Sequence, residues 1–170
     1  FMPPGVSPDE FDGATYVALV PFRMSGAGLG RGHPMPWWGT FVECNVRLYS
    51  VDDEGNHGVV FRSLEASRLV TALAARWGYR LPYAWASMSV RQRGNHWWWR
   101  SERRHPRGGG SLTLEARVGE QVEPTDLEVF LTARWGLHSH AAGRTWWTPN
   151  QHPPWPLHTA AVLHLDEDLV

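Results

Sequence analysis

The stretch from Thr40 to Val51 constrains this chain more than any other. Read with the period of two that a strand imposes, it puts Phe41, Glu43, Asn45, Arg47 and Tyr49 on one face. Val42, Cys44, Val46 and Leu48 fall on the other, and that second face belongs in a core. The first is unusual for a solvent face, because a carboxylate, an amide and a guanidinium stand in file between two aromatic rings. Polar groups framed in this way suit the inner wall of a barrel around a small ligand. The plainer alternative makes Glu43 and Arg47 surface residues that support each other diagonally. On the barrel reading Arg47 must be paired, since a lone buried charge costs several kcal/mol, and either Glu43 or a ligand carboxylate is the partner.

The rest of the chain is punctuated like a β-rich domain. Thr15 to Phe22 is a strand apolar enough to be covered on both faces, and the glycine-rich Ser25 to Gly39 is a loop whose Trp37-Trp38 folds back onto the body. Asp52 to Asn56 turns the chain into a hairpin partner at Gly58 to Leu64. A helix follows over Ser67 to Trp77, with Leu69, Val70, Leu73, Ala74 and Trp77 on one stripe, stopped by Gly78 and Pro82. Ala84 to Gln92 and His96 to Arg103 make a second hairpin, Pro106 to Gly110 is a connector, and Ser111 to Val118 is a half-buried strand. Thr125 and Glu128 form a capping box for a short helix over Asp126 to Ala133. Three more strands are expected at Arg134 to Ser139, Arg144 to Thr148 and Leu157 to Leu165. The fold class is therefore α+β, a strongly curved, mostly antiparallel sheet or barrel with two short helices. Residues 1–170 form one domain, and the opening on Phe1-Met2 with an end just after an apolar stretch sets the expectation of a chain trimmed at both ends.

Composition removes several chemistries. The 16 basic residues are all arginine, so no Schiff base can form on this chain. One cysteine, Cys44, excludes a disulfide framework and any multi-thiolate zinc site. A formal net charge of −1 argues against a dedicated nucleic-acid surface. No apolar run reaches a membrane-spanning length and no basic-then-apolar leader opens the chain, so neither a membrane nor nucleic acid is expected as a partner and the protein is expected in the cytoplasm. Eleven tryptophans mean either a bulky core or aromatic walls around a cavity.

Six segments occur in an order that carries a family resemblance: Phe11-Asp12-Gly13, Val20-Pro21-Phe22-Arg23-Met24, Phe41-x-Glu43-x-Asn45-Val46-Arg47-x-Tyr49, Gly58-Val59-Val60-Phe61-x-Ser63-Leu64, Leu81-Pro82-Tyr83 and Pro154-Trp155-Pro156-Leu157. Together they resemble the YqjF-like family of uncharacterised bacterial proteins, most specifically through the Phe-x-Glu-x-Asn-x-Arg-x-Tyr strand. That family is similar, more distantly, to the acetoacetate decarboxylase-like fold, in which a curved sheet encloses a small pocket for keto acids. The resemblance breaks at the decarboxylase's imine-forming lysine, because Ala75 and Arg76 stand in the corresponding stretch and arginine has no free base to offer.

Other constellations are weaker. His138 and His140 share a strand face, with His152 and His158 downstream, but no carboxylate stands at a telling spacing, so no metal and no other cofactor is expected. A serine-hydrolase elbow is missing, Ser63 reads as a wall hydroxyl, and Cys44 reads as an inert packing thiol. Trp97-Trp98-Trp99-Arg100 mixes aromatics with charge, yet three successive residues of a strand cannot share one face. Gly26, Gly28, Gly30 and Gly32 match a dinucleotide fingerprint in glycine count alone. The expected function is thus a pocket for a small anionic or carbonyl-bearing metabolite, with Glu43, Asn45, Arg47, Phe41, Tyr49 and Ser63 as ligand-binding residues. Arg47 engages the ligand's carboxylate or carbonyl, and Glu43 orients Arg47 and serves as acid or base once burial raises its pKa. The alternative is a non-catalytic structural or interaction module, as a homodimer, whose polar strand face is an internal ion-pair ladder.

Overall fold

The structure is a computed structural model in which residues 1–24, 40–68, 82–107, 109–150 and 153–169 are described. Its centre is β5 (Phe41–Asp52), twelve residues long. On one side β5 pairs antiparallel with β4 (Val17–Met24) and, beyond it, with β1 (Val6–Pro8). On the other side lies β6 (His57–Ala66), joined through the turn read from the sequence, where Asp52 Oδ1 accepts from the backbone N–H groups of Glu54 and Asn56. β2 (Glu10–Phe11) and β3 (Ala14–Thr15) form a separate small ribbon.

At β6 the sheet forks. Leu64 to Ala66 pair parallel with the start of β7 (Tyr83–Arg93), while Val59 pairs parallel with Leu137 of β10 (Gly136–Ala141). From β7 the sheet continues antiparallel through β8 (His96–His105), β9 (Ser111–Val122) and β12 (Leu157–Glu167), and β10 forms a hairpin with β11 (Arg144–Pro149). The hairpins and most strand boundaries follow the sequence reading to within about two residues, the usual tolerance of element ends, while β9 runs four residues past the expected end at Val118, to Val122. After β9, Thr125 caps α1 (Asp126–Thr132): the Glu128 N–H donates to Thr125 Oγ1 at 3.3 Å and the Thr125 N–H donates to the Glu128 carboxylate at 2.7 Å. That is the one helix among the described residues. Of the other helix expected, Ser67 and Arg68 are described and are not helical, and positions 69 to 77 lie outside the described residues, as do the 25–39 loop with its glycines and Trp37-Trp38.

The sheet is curled, and its contacts show which way. Cys44 and Val46 of β5 pack against Leu112 of β9 and Leu169 near the C-terminus. In a flat sheet β5 and β9, four strand spacings apart, would lie roughly 19 Å from each other. Only curling brings them together, so the Cys44–Val46 face is the concave one and the sheet is a half-barrel. This corrects the barrel reading in one respect. The polar face of β5 looks away from the hollow of the curl and is covered from outside by α1 and by the segment carrying Trp155.

A second correction concerns β4. Among the described residues its one neighbour in the sheet is β5; its own residues are half-buried at best and Val17 is 67% exposed, not covered on both faces.

Candidate functional site

The strand β5 holds its five alternate residues in one row because its pairing with β4 runs unbroken from Val17–Leu48 to Met24–Phe41. Phe41, Glu43, Asn45, Arg47 and Tyr49 are all buried, between 2% and 8% exposed. The surface alternative for Glu43 and Arg47 is therefore set aside.

Burial on this face is polar and uneven. Tyr83 O–H donates to Glu43 Oε2 at 3.3 Å, and desolvation pushes the Glu43 carboxyl up to about 7 even though that hydrogen bond pulls the other way. The same burial, with the Glu43 charge beside it, pushes the Tyr83 phenol up as well. Arg47 Nη2 donates to the Leu131 carbonyl at 2.9 Å, and its guanidinium carbon lies 5.6 Å from the Tyr49 ring centre and 5.7 Å from that of Trp155. Tyr49 O–H donates to the same Leu131 carbonyl at 2.9 Å. Asn45 Oδ1 and Arg47 Nε have no hydrogen-bond partner among the described residues.

Glu43 does not orient Arg47. Among the described residues no ion pair joins them, because residues i and i+4 of a strand are about 13 Å apart. The internal ladder of the structural alternative is likewise not formed by these two residues. Ser63 does not join the row either. The pairing passes from Val46–Ser63 to Arg47–Phe61, so Arg62 bulges out of β6, and Ser63 sits on the concave face with Cys44. There Ser63 Oγ donates to Glu65 Oε1 at 2.9 Å and accepts from Arg103 Nη2 at 3.1 Å, inside a buried Glu65–Arg103 ion pair.

Residues that the sequence did not single out complete the polar face. Arg134, just beyond α1, is 8% exposed; its Nη1 lies 2.8 Å from Asp9 Oδ2, and its guanidinium carbon is 4.0 Å from the Phe130 ring centre. His57 Nδ1 lies 2.7 Å from the same Asp9 oxygen. Nothing local marks Arg134 as part of this site: Phe130 of α1 is a near neighbour, but the counter-ion Asp9 and the Tyr49 ring come from the N-terminal segment and from β5.

The histidines resolve differently from a metal site. His138 is buried, with Nδ1 2.9 Å from Ser50 Oγ and Nε2 3.3 Å from Asp52 Oδ2. The order serine, histidine, aspartate is that of a hydrolase triad, but Ser50 is wholly buried and no substrate carbonyl can reach its Oγ. The trio ties β10 to β5. Among the described residues no group of three or more ligating side chains is placed to hold a metal.

Cys44 is fully buried, and desolvation, followed by the charges of Glu65, Glu43 and Glu167, pushes its thiol up to about 12. Cys44 is expected to resist Ellman's reagent at pH 8 in the native protein and to react at once in guanidinium. Stoichiometric labelling without denaturant would contradict this.

Hollows of about 740, 760 and 390 Å³ are formed by described residues: two flank the tryptophans of β8, on the Trp97/Trp99 face and on the Trp98 face, and the third lies beside Val60 and His138. Glu43, Asn45 and Arg47 line none of the three. Among the described residues no helix is long and apolar enough to cross a membrane.

A curled, mostly antiparallel half-barrel with a buried polar row beneath its helix is thus the class of protein this chain forms. The family DUF2071, described as an uncharacterised conserved protein, matches residues 1–170, and the chain belongs to it. A curated relative, the uncharacterised protein YqjF of Bacillus subtilis (strain 168), is 25% identical over 154 residues, or 89% of this chain. The chain spans 63% of that relative's length. No solved structure matches it significantly.

Proposed function

We propose that the buried polar row of β5 binds a small anionic or carbonyl-bearing metabolite, with Arg47 engaging its carboxylate or carbonyl oxygen. The observation that carries this reading is the Arg47 guanidinium, buried with no carboxylate beside it and with Nε unpartnered among the described residues. A charge taken out of water costs several kcal/mol unless compensated. The rings of Tyr49 and Trp155 and the carbonyl of Leu131 offset part of that cost, and an anionic ligand supplies the rest with the forked geometry guanidinium favours.

Asn45 offers its free Oδ1 as a directional acceptor, and Phe41 and Tyr49 supply apolar wall. Glu43, partly protonated near neutral pH, serves as acid or base towards the bound molecule. The reaction, where there is one, proceeds without an imine, since the chain has no lysine. The curled sheet supports the further reading of the fold as a distant variant of the acetoacetate decarboxylase-like one, with the ligand site moved to the face under α1.

Titration calorimetry and thermal-shift assays with a panel of small keto acids and other carboxylates test this. At least one member is expected to bind, and Arg47→Ala to bind it at least tenfold more weakly. Equal binding by both proteins, or no binding of any member by the wild type, overturns the assignment.

A further inference from the structure

Two arginines, not one, reach the buried row. Phe130 and Leu131 are consecutive residues at the carbonyl end of α1, and each gives its oxygen to a different guanidinium: Arg134 Nε donates to Phe130 at 2.9 Å and Arg47 Nη2 donates to Leu131 at 2.9 Å. Both guanidiniums crowd one ring, their central carbons 5.6 Å (Arg47) and 5.5 Å (Arg134) from the centre of Tyr49. Each keeps one buried nitrogen without a partner among the described residues, Nε on Arg47 and Nη2 on Arg134. Only Arg134 has a counter-ion, Asp9, which His57 also bonds. Glu43 stands about 13 Å along the strand from Arg47 and does not neutralise it.

The local count is therefore two fixed positive charges against one carboxylate. The partial negative charge at the end of a short helix repays a fraction of the excess. What remains fits one negative charge, able to accept N–H donors beside an aromatic face. A carboxylate is planar, carries one charge and accepts at two oxygens.

We propose that Arg134 is a second ligand-binding arginine of this site and that the ligand is a small monocarboxylate, held against the Tyr49 ring between the two guanidiniums. The assignment rests on the binding role of Arg47 given above. Asp9 is a positioning residue: it holds Nη1 of Arg134 and so leaves Nη2 to face the ligand.

The test is discrimination rather than bare affinity, because a purely structural role for Arg134 would leave discrimination alone. Pyruvate and its uncharged analogue pyruvamide are titrated into the wild type, Arg47→Ala, Arg134→Lys and the double variant Asp9→Asn/Arg134→Gln. The lysine variant keeps a cation beside Asp9, and the double variant removes both charges together, so that neither leaves Asp9 unpaired in the folded state. The wild type is expected to prefer pyruvate at least tenfold over pyruvamide, and both Arg134 variants to lose most of that preference while circular dichroism shows them folded. Loss of the preference in Arg47→Ala with full retention in the folded Arg134 variants overturns the role of Arg134 and leaves that of Arg47 standing. Failure of the wild type to bind pyruvate or any other monocarboxylate overturns the ligand class, whereas binding of dicarboxylates alone overturns the single-charge count without touching the Arg47 reading.

Discussion

Arg103→Met is expected to cost about 3–5 kcal/mol of folding stability, the usual result of removing one partner from a buried ion pair. The carboxylate it strands, Glu65, has no solvent exposure at all, while Arg103 is 19% exposed and reaches it from β8 across the curl. Arg103 also donates through Nη2 to Ser63 Oγ and to the Leu169 carbonyl, each at 3.1 Å, so the same side chain anchors the C-terminal end of the chain to β6. Gly110 closes the arrangement from the other side. A Cβ there would lie 2.5 Å from Arg103 Nε, and its φ of +106° is one that residues with a side chain rarely adopt. Urea unfolding of Arg103→Met, Glu65→Met and the double variant checks the assignment. The double variant is expected to recover most of the loss, since two apolar side chains of similar size leave no charge behind. A single-variant loss below about 1 kcal/mol, as for an exposed pair, would contradict it.

This pair shows where the sequence stops being readable. Glu65 and Arg103 are 38 positions apart, and each looks like an ordinary strand residue until the sheet curls and points both into one hollow. Strand existence depends on local alternation and turn chemistry, which is why β5, the turn at Asp52 to Asn56 and the capping box of Thr125 and Glu128 were all legible. The face a residue occupies is legible only while register holds. The bulge at Arg62 moved Ser63 off the row by one residue, and one residue is enough to reverse every face. The absence of a Glu43–Arg47 pair, by contrast, follows from strand rise alone. Arg134 was invisible for another reason. The sequence pattern places it in a strand beginning at position 134, whereas β10 begins at Gly136, and the residues that give Arg134 its role come from Asp9, Tyr49 and α1.

Glu43→Gln should make the protein more stable at neutral and alkaline pH, by about 3 kcal/mol above pH 7. The carboxyl titrates near 4.5 in the unfolded chain and near 7 in the fold. Below pH 4.5 both states hold the proton and the shift contributes nothing. Between 4.5 and 7 the unfolded chain releases a proton that the native protein retains, so stability falls as pH rises, by about 1.4 kcal/mol per pH unit. Above 7 both states are ionised and the full penalty, about 3 kcal/mol, persists. Glutamine removes it without emptying the position, since its side-chain carbonyl still accepts from Tyr83 O–H. Asp52 cannot produce the same trend: hydrogen bonds led by that from Asn56 pull it down to about 2, so its stabilisation is present above its unfolded value and is lost only in acid. The two proteins are expected to show converging denaturation midpoints at pH 4 and diverging ones from pH 5 to 8, the variant the more stable. Parallel curves over that range would mean that Glu43 ionises in the fold as readily as in water, and with it would go the acid–base role assigned to this carboxyl.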